Sequence, residues 1–194
     1  MNDLLEKCEA HKLWIEAAGK KGTQLNLDEA DLRSMNPETF IFEQAFFSEC
    51  NLSGMSFEDC DFYQSEFYSC DFRNAHFTNC DFRKSTLDYS DFSGATFVDC
   101  KFPRADAFKA NFSRCTFKDC SFVGFNIMEG SLNDVTCKTT DFDGAYLDKV
   151  KLNNFTLNNA KNLNKVNHVS FYLAEDAPLV EREAAVDWLI THNG

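Results

Sequence analysis

The sequence lacks several features that mark other classes of protein. No apolar run approaches the roughly 18 residues that a transmembrane helix needs. The first 21 residues carry acids throughout and have no apolar h-region, which argues against a signal peptide. A basic excess is also missing, since the net charge is −12. We therefore expect a cytoplasmic protein that does not bind nucleic acid directly and does not associate with membranes.

Metal-binding spacing is missing as well. None of the nine cysteines forms a CxxC pair, and the histidines are scattered at His11, His76, His168 and His192. We therefore expect no metal site and no cofactor. An odd, cysteine-rich set can indicate a secreted disulfide scaffold. The chain is long for that class and shows no export signal, so reduced thiols in the cytosol fit better.

What the sequence has instead is a period of five residues. A step of five from Leu27 to Leu157 passes 27 positions without a slip of frame. Of the 17 such positions between Phe42 and Phe122, 14 are Phe. Neither an α-helix nor a strand has this period, because their side chains repeat every 3.6 and every two residues. The pattern therefore indicates an internal repeat.

The neighbouring positions repeat in the same frame. Two residues before each large residue stands a small one, most often Ala, Ser or Cys, and Asp or Asn often follows it. Two residues after the large one, Gly, Asn or Asp recur, which marks a tight turn where positive φ is tolerated. One large and one small inward side chain per repeat predict a narrow, filled interior. Straight pieces and turns in alternation predict a parallel β-solenoid.

This pattern resembles the pentapeptide-repeat family. The segments CDFRN (70–74), CDFRK (80–84) and SDFSG (90–94) match its consensus of a small residue, Asp or Asn, Leu or Phe, and two polar residues. The resemblance implies an all-β fold, a right-handed quadrilateral parallel β-helix with 20 residues per coil. The chain departs from the consensus at Pro37, Ala107, Cys137, Phe40, Phe125 and Phe155. We expect the large Phe125 to fill the space left by the small Ala107.

The repeat divides the chain into three parts. Residues 1–24 are predicted to form an N-terminal capping helix, from about Asp3 to Ala18, with Asn2 as its cap and Gly19 as its stop. Residues 25–160 form the solenoid. Residues 161–194 hold an irregular connector over 161–175 and a C-terminal helix that starts near Asp176 and Pro178. That helix either covers the end of the solenoid or pairs with its copy in a homodimer.

Two groups of side chains could suggest chemistry. Cys60, Cys80, Cys100 and Cys120 fall in one column, which fits either a redox or metal ladder or small buried residues. Column position favours the buried residues. Acidic residues flank the same column and could suggest acid–base catalysis. Because no histidine, cleft or nucleophile accompanies them, we expect no catalytic residues and no enzyme.

Charge differs between the two halves of the repeat. Residues 25–99 hold 15 acids against four bases, a net charge of −11, whereas residues 100–160 carry +1. The acids serve either solubility or the docking of a basic protein partner. Outward aromatic residues are candidate anchors beside them, although Phe108 could instead turn inward beside Ala107. The predicted partner-binding residues are Glu43, Glu49, Glu58, Asp59, Glu66, Tyr68, Tyr89 and Phe108.

Three functions remain open on this basis. The first is a rigid, non-enzymatic protein-binding module that acts through its acidic outer surface, because a filled solenoid offers faces and no pocket. The second is a DNA mimic that binds and protects a type II topoisomerase against quinolones or toxins, which the family resemblance implies. The third is an immunity protein that occludes a toxin.

Overall fold

The main body of the protein is a parallel β-solenoid of about seven turns. The structure is a computed structural model, and it describes residues 2–174 and 176–194, apart from the side chain of Asn2. Residues 20 apart are neighbours throughout, as in the register of Phe57, Phe77 and Phe97. The predicted quadrilateral parallel β-helix with terminal α-helices is therefore confirmed.

Short strands make up the sides of the solenoid. The helices are α1 (Asn2–Glu16) and α2 (Arg182–Thr191), and two short 3-10 turns span Pro37–Thr39 and Leu163–Lys165. No helix in the described residues has both the length and the apolar composition to cross a membrane. The strands are β1 (Asn26–Asp28), β2 (Phe46–Ser48), β3 (Ser56–Glu58), β4 (Glu66–Tyr68), β5 (His76–Thr78), β6 (Thr96–Val98), β7 (Asp106–Phe108), β8 (Thr116–Lys118), β9 (Asn126–Met128), β10 (Thr136–Lys138), β11 (Tyr146–Lys151), β12 (Thr156–Asn158), β13 (His168–Tyr172) and β14 (Val180–Glu181).

These strands form sheets on opposite sides of the solenoid. One side holds the six-stranded sheet β12-β10-β8-β6-β5-β3. The other side holds β1-β2-β4 and β14-β13-β11-β9-β7, which are continuous because Thr86 bridges to Glu66 and to Asp106. Strands β4 and β5 begin ten residues apart, which is half a coil of 20, so their sheets face away from each other.

Stacked Phe rings fill the interior. The Phe62 and Phe82 rings lie 4.5 Å apart between centroids and nearly parallel, and those of Phe82 and Phe102 lie 4.8 Å apart. All four predicted rings of this column are buried, but Phe122 meets Phe102 at 84° rather than in parallel. The reason is Phe125, which is fully buried and takes the stacking position on Phe102 at 4.8 Å.

Left-handed residues make the corners. The residue two positions after each large one has a positive φ, as at Asn74 (57°), Asn79 (52°) and Gly94 (75°). The turn predicted from Gly, Asn and Asp at this offset is therefore present. Longer side chains also adopt it, including Lys84 and Tyr89. Neighbouring coils support these corners, since the amide of Asn74 donates to the carbonyl of Ser93 at 3.0 Å.

The N-terminal helix is joined to the first coil through a buried histidine. His11 is fully buried, its Nδ1 accepts the amide of Leu25 at 3.0 Å, and its Nε2 donates to the carbonyl of Glu43 at 2.9 Å. The helix ends at Glu16 rather than at Ala18, because Ala18 already has a φ of 48°. Capping by the Asn2 side chain lies outside the described part of the structure.

The predicted irregular connector over 161–175 is wrong in part. Strand β13 continues the solenoid there, and it pairs in parallel with β11. The register between them is 22 residues at Tyr146 and His168, and 21 residues at Val150 and Phe171. A fixed step of five misses this strand because the register shifts.

The C-terminal helix begins later than predicted. Strand β14 occupies Val180–Glu181 and pairs antiparallel with β13, so α2 starts at Arg182 and not near Pro178. Ala185 and Leu189 of α2 are buried, and Trp188 meets Phe171 with ring centroids 5.1 Å apart. This face of α2 therefore packs on the solenoid of its own chain.

Replacement of Phe82 by Ala tests the packed interior. The ring is fully buried between Phe62 and Phe102, so Phe82→Ala should lower the free energy of unfolding by about 3–5 kcal/mol. Urea unfolding measures the change. The exposed Val123 is the control, and Val123→Ala should change stability by about 0.5 kcal/mol or less. A loss below about 1 kcal/mol for Phe82→Ala would contradict the stacked interior.

Acidification should weaken the attachment of α1. Burial lowers the pKa of His11 below its ordinary value of 6.5, so the unfolded chain binds a proton at higher pH than the folded chain. Stability should therefore be lost as the pH falls from about 6.5 towards that lowered pKa. Urea midpoints at several pH values measure this loss. His11→Gln should be less stable at pH 7.5 and should show a smaller drop, and an equal drop in both proteins would exclude His11 as its source.

Candidate protein-binding surfaces

Many of the acids in the N-terminal half are held by the turns of the solenoid. Asp71 Oδ1 accepts the amide of Arg73 at 3.0 Å, and the Arg73 guanidinium contacts Asp71 Oδ2 at 2.6 Å. This guanidinium lowers the pKa of Asp71. The same bond to the amide two residues on is made by Asp31, Asp61, Asp81 and Asp91. The Asp column of the repeat is therefore structural first.

Three aromatic side chains meet on the outer side that carries β4 and β7. The Tyr68 and Tyr89 ring centroids lie 5.2 Å apart, and those of Tyr89 and Phe108 lie 5.5 Å apart. Tyr68 is 45% exposed and Tyr89 is 43% exposed. We call Tyr68, Tyr89 and Phe108 the aromatic cluster. It spans three successive coils, so the solenoid fixes the spacing of its rings.

Local backbone geometry brings these rings together. Tyr68 and Phe108 follow their inward residues by one position, whereas Tyr89 stands at a left-handed corner with φ of 59°. The position between Tyr68 and Phe108 is held by Asp88, whose Oδ1 accepts the amide of Phe108 at 2.8 Å. The carboxylate therefore lies along the backbone, and the ring of Tyr89 bridges its two neighbours.

Phe108 lies on the surface and does not turn inward. It is half-buried, contacts Tyr89, and has Lys109 Nζ 5.1 Å above its ring. Inward rotation is wrong for a simple reason: side chains alternate along β7, and Ala107 is the inward residue. Lys109 is a member of this surface that sequence analysis missed, although its place beside Phe108 in the repeat frame could have indicated it.

Two of the predicted acids border the aromatic cluster. Glu66 lies two residues before Tyr68 on the outward side of β4, and the amide of Glu49 donates to the carbonyl of Tyr68 at 2.9 Å. Both side chains are exposed, and neither forms an ion pair with a described residue. Five of the eight predicted partner-binding residues therefore share one side of the solenoid.

The other three predicted residues lie around a separate depression. Its volume is about 320 Å³, and we call it the acidic hollow. Sequence analysis missed Glu38 and Asp61 as further acids here, although Pro37 at a large position and Phe40 at a small one marked the first coil as irregular. The hollow is lined by Pro37, Glu38, Phe40, Ile41, Phe42, Glu43, Glu58, Asp59, Cys60 and Asp61.

Comparison with known families identifies the repeat. A profile described as a pentapeptide repeat region matches residues 23–97, and one for pentapeptide repeats in eight copies matches residues 87–124. Together they cover 23–124, more than half of the 194 residues. The chain belongs to the pentapeptide-repeat family. A search of curated proteins finds no match to it.

Solved pentapeptide-repeat structures share the solenoid at low identity. One is HetL, involved in heterocyst differentiation regulation in the cyanobacterium Nostoc sp. strain PCC 7120, with 15% identity, coverage of 77% of this chain and 90% of HetL, and a TM-score of 0.40. Another is QnrB1, a plasmid-mediated fluoroquinolone resistance protein, with 19% identity, coverage of 74% and 77%, and a TM-score of 0.33. A third comes from the Arabidopsis thaliana thylakoid lumen, with 19% identity, coverage of 50% and 68%, and a TM-score of 0.28.

The cysteines of this pentapeptide-repeat protein are structural thiols. All nine are free, eight are buried, and Cys60 is half-buried. The Cys80 thiol donates to the carbonyls of Phe57 and Thr78 at 3.5 and 3.4 Å, and Cys100 repeats this pattern one coil on. A hydrogen bond with Cys100 and burial raise the pKa of Cys80 to about 12. Such thiols stay protonated at neutral pH and are poor nucleophiles and metal ligands.

Metal-binding geometry was searched in the same residues. Within the part of the chain that the structure describes, no group of three or more His, Cys, Asp or Glu side chains could hold a metal ion. The column of Cys60, Cys80, Cys100 and Cys120 therefore fits the prediction of small inward side chains better than that of a metal ladder.

Thiol accessibility should distinguish the folded from the unfolded protein. Titration with an aromatic disulfide reagent in denaturant should find nine thiols in reduced protein. In native protein at pH 7.5, we expect slow reaction, with Cys60 the fastest because it alone is half-buried rather than buried. The variant Cys60→Ser should remove that fastest phase. Rapid reaction of several thiols in native protein would contradict a structural role.

Proposed function

We propose that this protein is a rigid, non-enzymatic protein-binding module that docks onto a basic surface of a partner protein. The observation that carries the proposal is the aromatic cluster, in which three rings contact one another at the surface beside Glu49 and Glu66. Large aromatic side chains are frequent energetic centres of protein interfaces. Side chains fixed on a solenoid lose little conformational freedom on binding, which favours affinity.

The charges around the cluster support a basic partner. Glu49 and Glu66 are exposed and have no ion-pair partner among the described residues, unlike Asp31 and Asp71, which pair with Arg33 and Arg73. A basic surface would relieve the repulsion between these carboxylates, and it would associate faster at low salt.

The absence of a catalytic role is part of the proposal. The pentapeptide-repeat fold supports it, because the interior is filled by stacked Phe rings and the depressions of the described surface are shallow. The free thiols support a reducing compartment such as the cytoplasm. A homodimer through α2 would use the outer side of the helix, where Ile190 is 46% exposed, because Ala185 and Leu189 pack on the same chain.

The two narrower functions remain candidates. A net charge of −11 over residues 25–99 favours a DNA mimic that protects a type II topoisomerase. Five of those 15 acids serve the turns, which lowers the charge that is free for a partner. An immunity protein would use the same surface against a toxin. Supercoiling by the topoisomerase of the source organism, with and without quinolone and with this protein added, separates the DNA mimic from the other two.

Charge reversal beside the aromatic cluster should weaken binding. The double variant Glu49→Lys with Glu66→Lys should lower the affinity for the partner isolated from the source organism by about tenfold or more and flatten its salt dependence. The melting temperature should barely change, because Lys already occupies the position of Glu49 in other coils, at Lys84 and Lys109. Surface plasmon resonance at several salt concentrations measures both effects.

A matched control separates site from total charge. Asp99→Lys with Asp119→Lys makes the same change of charge on the six-stranded side, where both side chains are exposed at left-handed corners. This variant should keep most of the affinity. If it weakens binding as much as Glu49→Lys with Glu66→Lys, or if Tyr68→Ser with Tyr89→Ser binds as well as the wild type, the aromatic cluster is not the docking surface.

A further inference from the structure

The six-stranded sheet ends in an open edge at its N-terminal side. Strand β3 is the last strand of this sheet, and its pairing partner is β5. The register of 20 would place residues 36–38 of the first coil beside β3. A 3-10 turn over Pro37–Thr39 stands there instead, and the amide of Phe40 donates to the carbonyl of Pro37 at 3.0 Å. No described strand therefore covers β3 on this side.

The backbone groups of this edge are free. In the next coil the amide of His76 donates to the carbonyl of Met55 at 2.9 Å, as the solenoid pattern requires. The amides of Ser56 and Glu58, which point the other way, donate to no described residue. Pro37 explains the gap in part, because it has no N–H to donate to the carbonyl of Ser56. An uncovered strand edge of this kind is a template for another strand.

The acidic hollow lies beside this edge. Its wall includes Glu58 at the end of β3, and Phe40 and Ile41 supply apolar surface. Five carboxylates surround it, and none forms an ion pair with a described residue: Glu38, Glu43, Glu58, Asp59 and Asp61. The free amides, the apolar surface and the uncompensated negative charge therefore occur at one place.

We propose that the β3 edge and the acidic hollow form a second docking site, which binds an extended basic segment of a partner protein by strand addition. The segment pairs its backbone with Ser56 and Glu58 over about three residues, the length of β3. Because strand side chains alternate, one set meets the apolar surface of Phe40 and Ile41 and the other meets the carboxylates. The site lies on the sheet opposite the aromatic cluster, so it does not depend on the function proposed above.

A synthetic peptide tests the site directly. The probe is a fluorescein-labelled hexapeptide of alternating Arg and Val, and its binding to the whole protein is measured by fluorescence anisotropy at low salt. Ser56→Pro removes the free amide without loss of an internal hydrogen bond, and proline is tolerated at such edges. This variant should bind the peptide about tenfold more weakly or worse, whereas Ser56→Ala should stay within about twofold of the wild type.

Two further comparisons make the test independent of the folding of Ser56→Pro. A peptide N-methylated at alternate residues keeps its charge but cannot pair along one edge, so the wild-type protein should bind it about tenfold more weakly. Glu58→Gln with Asp59→Asn should weaken binding about threefold to tenfold and flatten its salt dependence. Asp99→Asn with Asp119→Asn, on the same sheet but away from the edge, should have little effect.

Several outcomes would overturn the inference. Equal binding of the plain and the N-methylated peptide would show diffuse attraction to an acidic surface rather than strand addition. No binding by the wild type at low salt would exclude the site. Self-association that Ser56→Pro abolishes would assign the edge to a second copy of this chain. Tyr68→Ser with Tyr89→Ser should leave peptide binding unchanged, which separates a failure here from a failure of the aromatic cluster.

Discussion

Each coil of this protein is held to the next by backbone hydrogen bonds between residues about 20 apart, and the side chains follow that spacing. Phe rings of adjacent coils stack at 4.5–5.0 Å in several columns, close to the distance between neighbouring strands. One repeat distance therefore serves both the hydrogen bonds and the interior packing. A side chain that is too large or too small must be compensated locally, as at Phe125 and Phe122.

The same spacing organises the outer surface. Residues in one column are carried at fixed intervals, so Tyr68 and Phe108 lie two coils apart with Tyr89 between them. Rigid presentation explains how a chain of short strands can offer a binding surface without a pocket. It also explains why the Asp column is a poor guide to function, since Asp71 and Asp81 first satisfy the amides of their own turns.

The ends of a solenoid must depart from this order, because the first and last coils have only one neighbour. At the C-terminal end, β13, β14 and α2 cover the last coils, and the Asn193 side chain donates to the carbonyl of Ala160 at 3.0 Å. At the N-terminal end, α1 is attached through His11, but the 3-10 turn at Pro37 leaves β3 uncovered. The proposed strand-addition site is therefore a consequence of incomplete end coverage.

The sequence alone determined the fold, because the period of five from Leu27 to Leu157 is compatible with few other structures. It also predicted the buried Phe columns, the left-handed corners and the inward cysteines, which all depend on position within a repeat. It did not predict β13, because the register there shifts to 22 and 21 residues and the period disappears. Nor could it separate the eight candidate residues into two surfaces. That division depends on which side of the coil each residue occupies, and on the 3-10 turn at Pro37 that opens the hollow around Glu43, Glu58 and Asp59. Contacts between residues about 20 apart, such as Tyr68 with Tyr89, are formed only when the coils stack, so only the tertiary structure decided them.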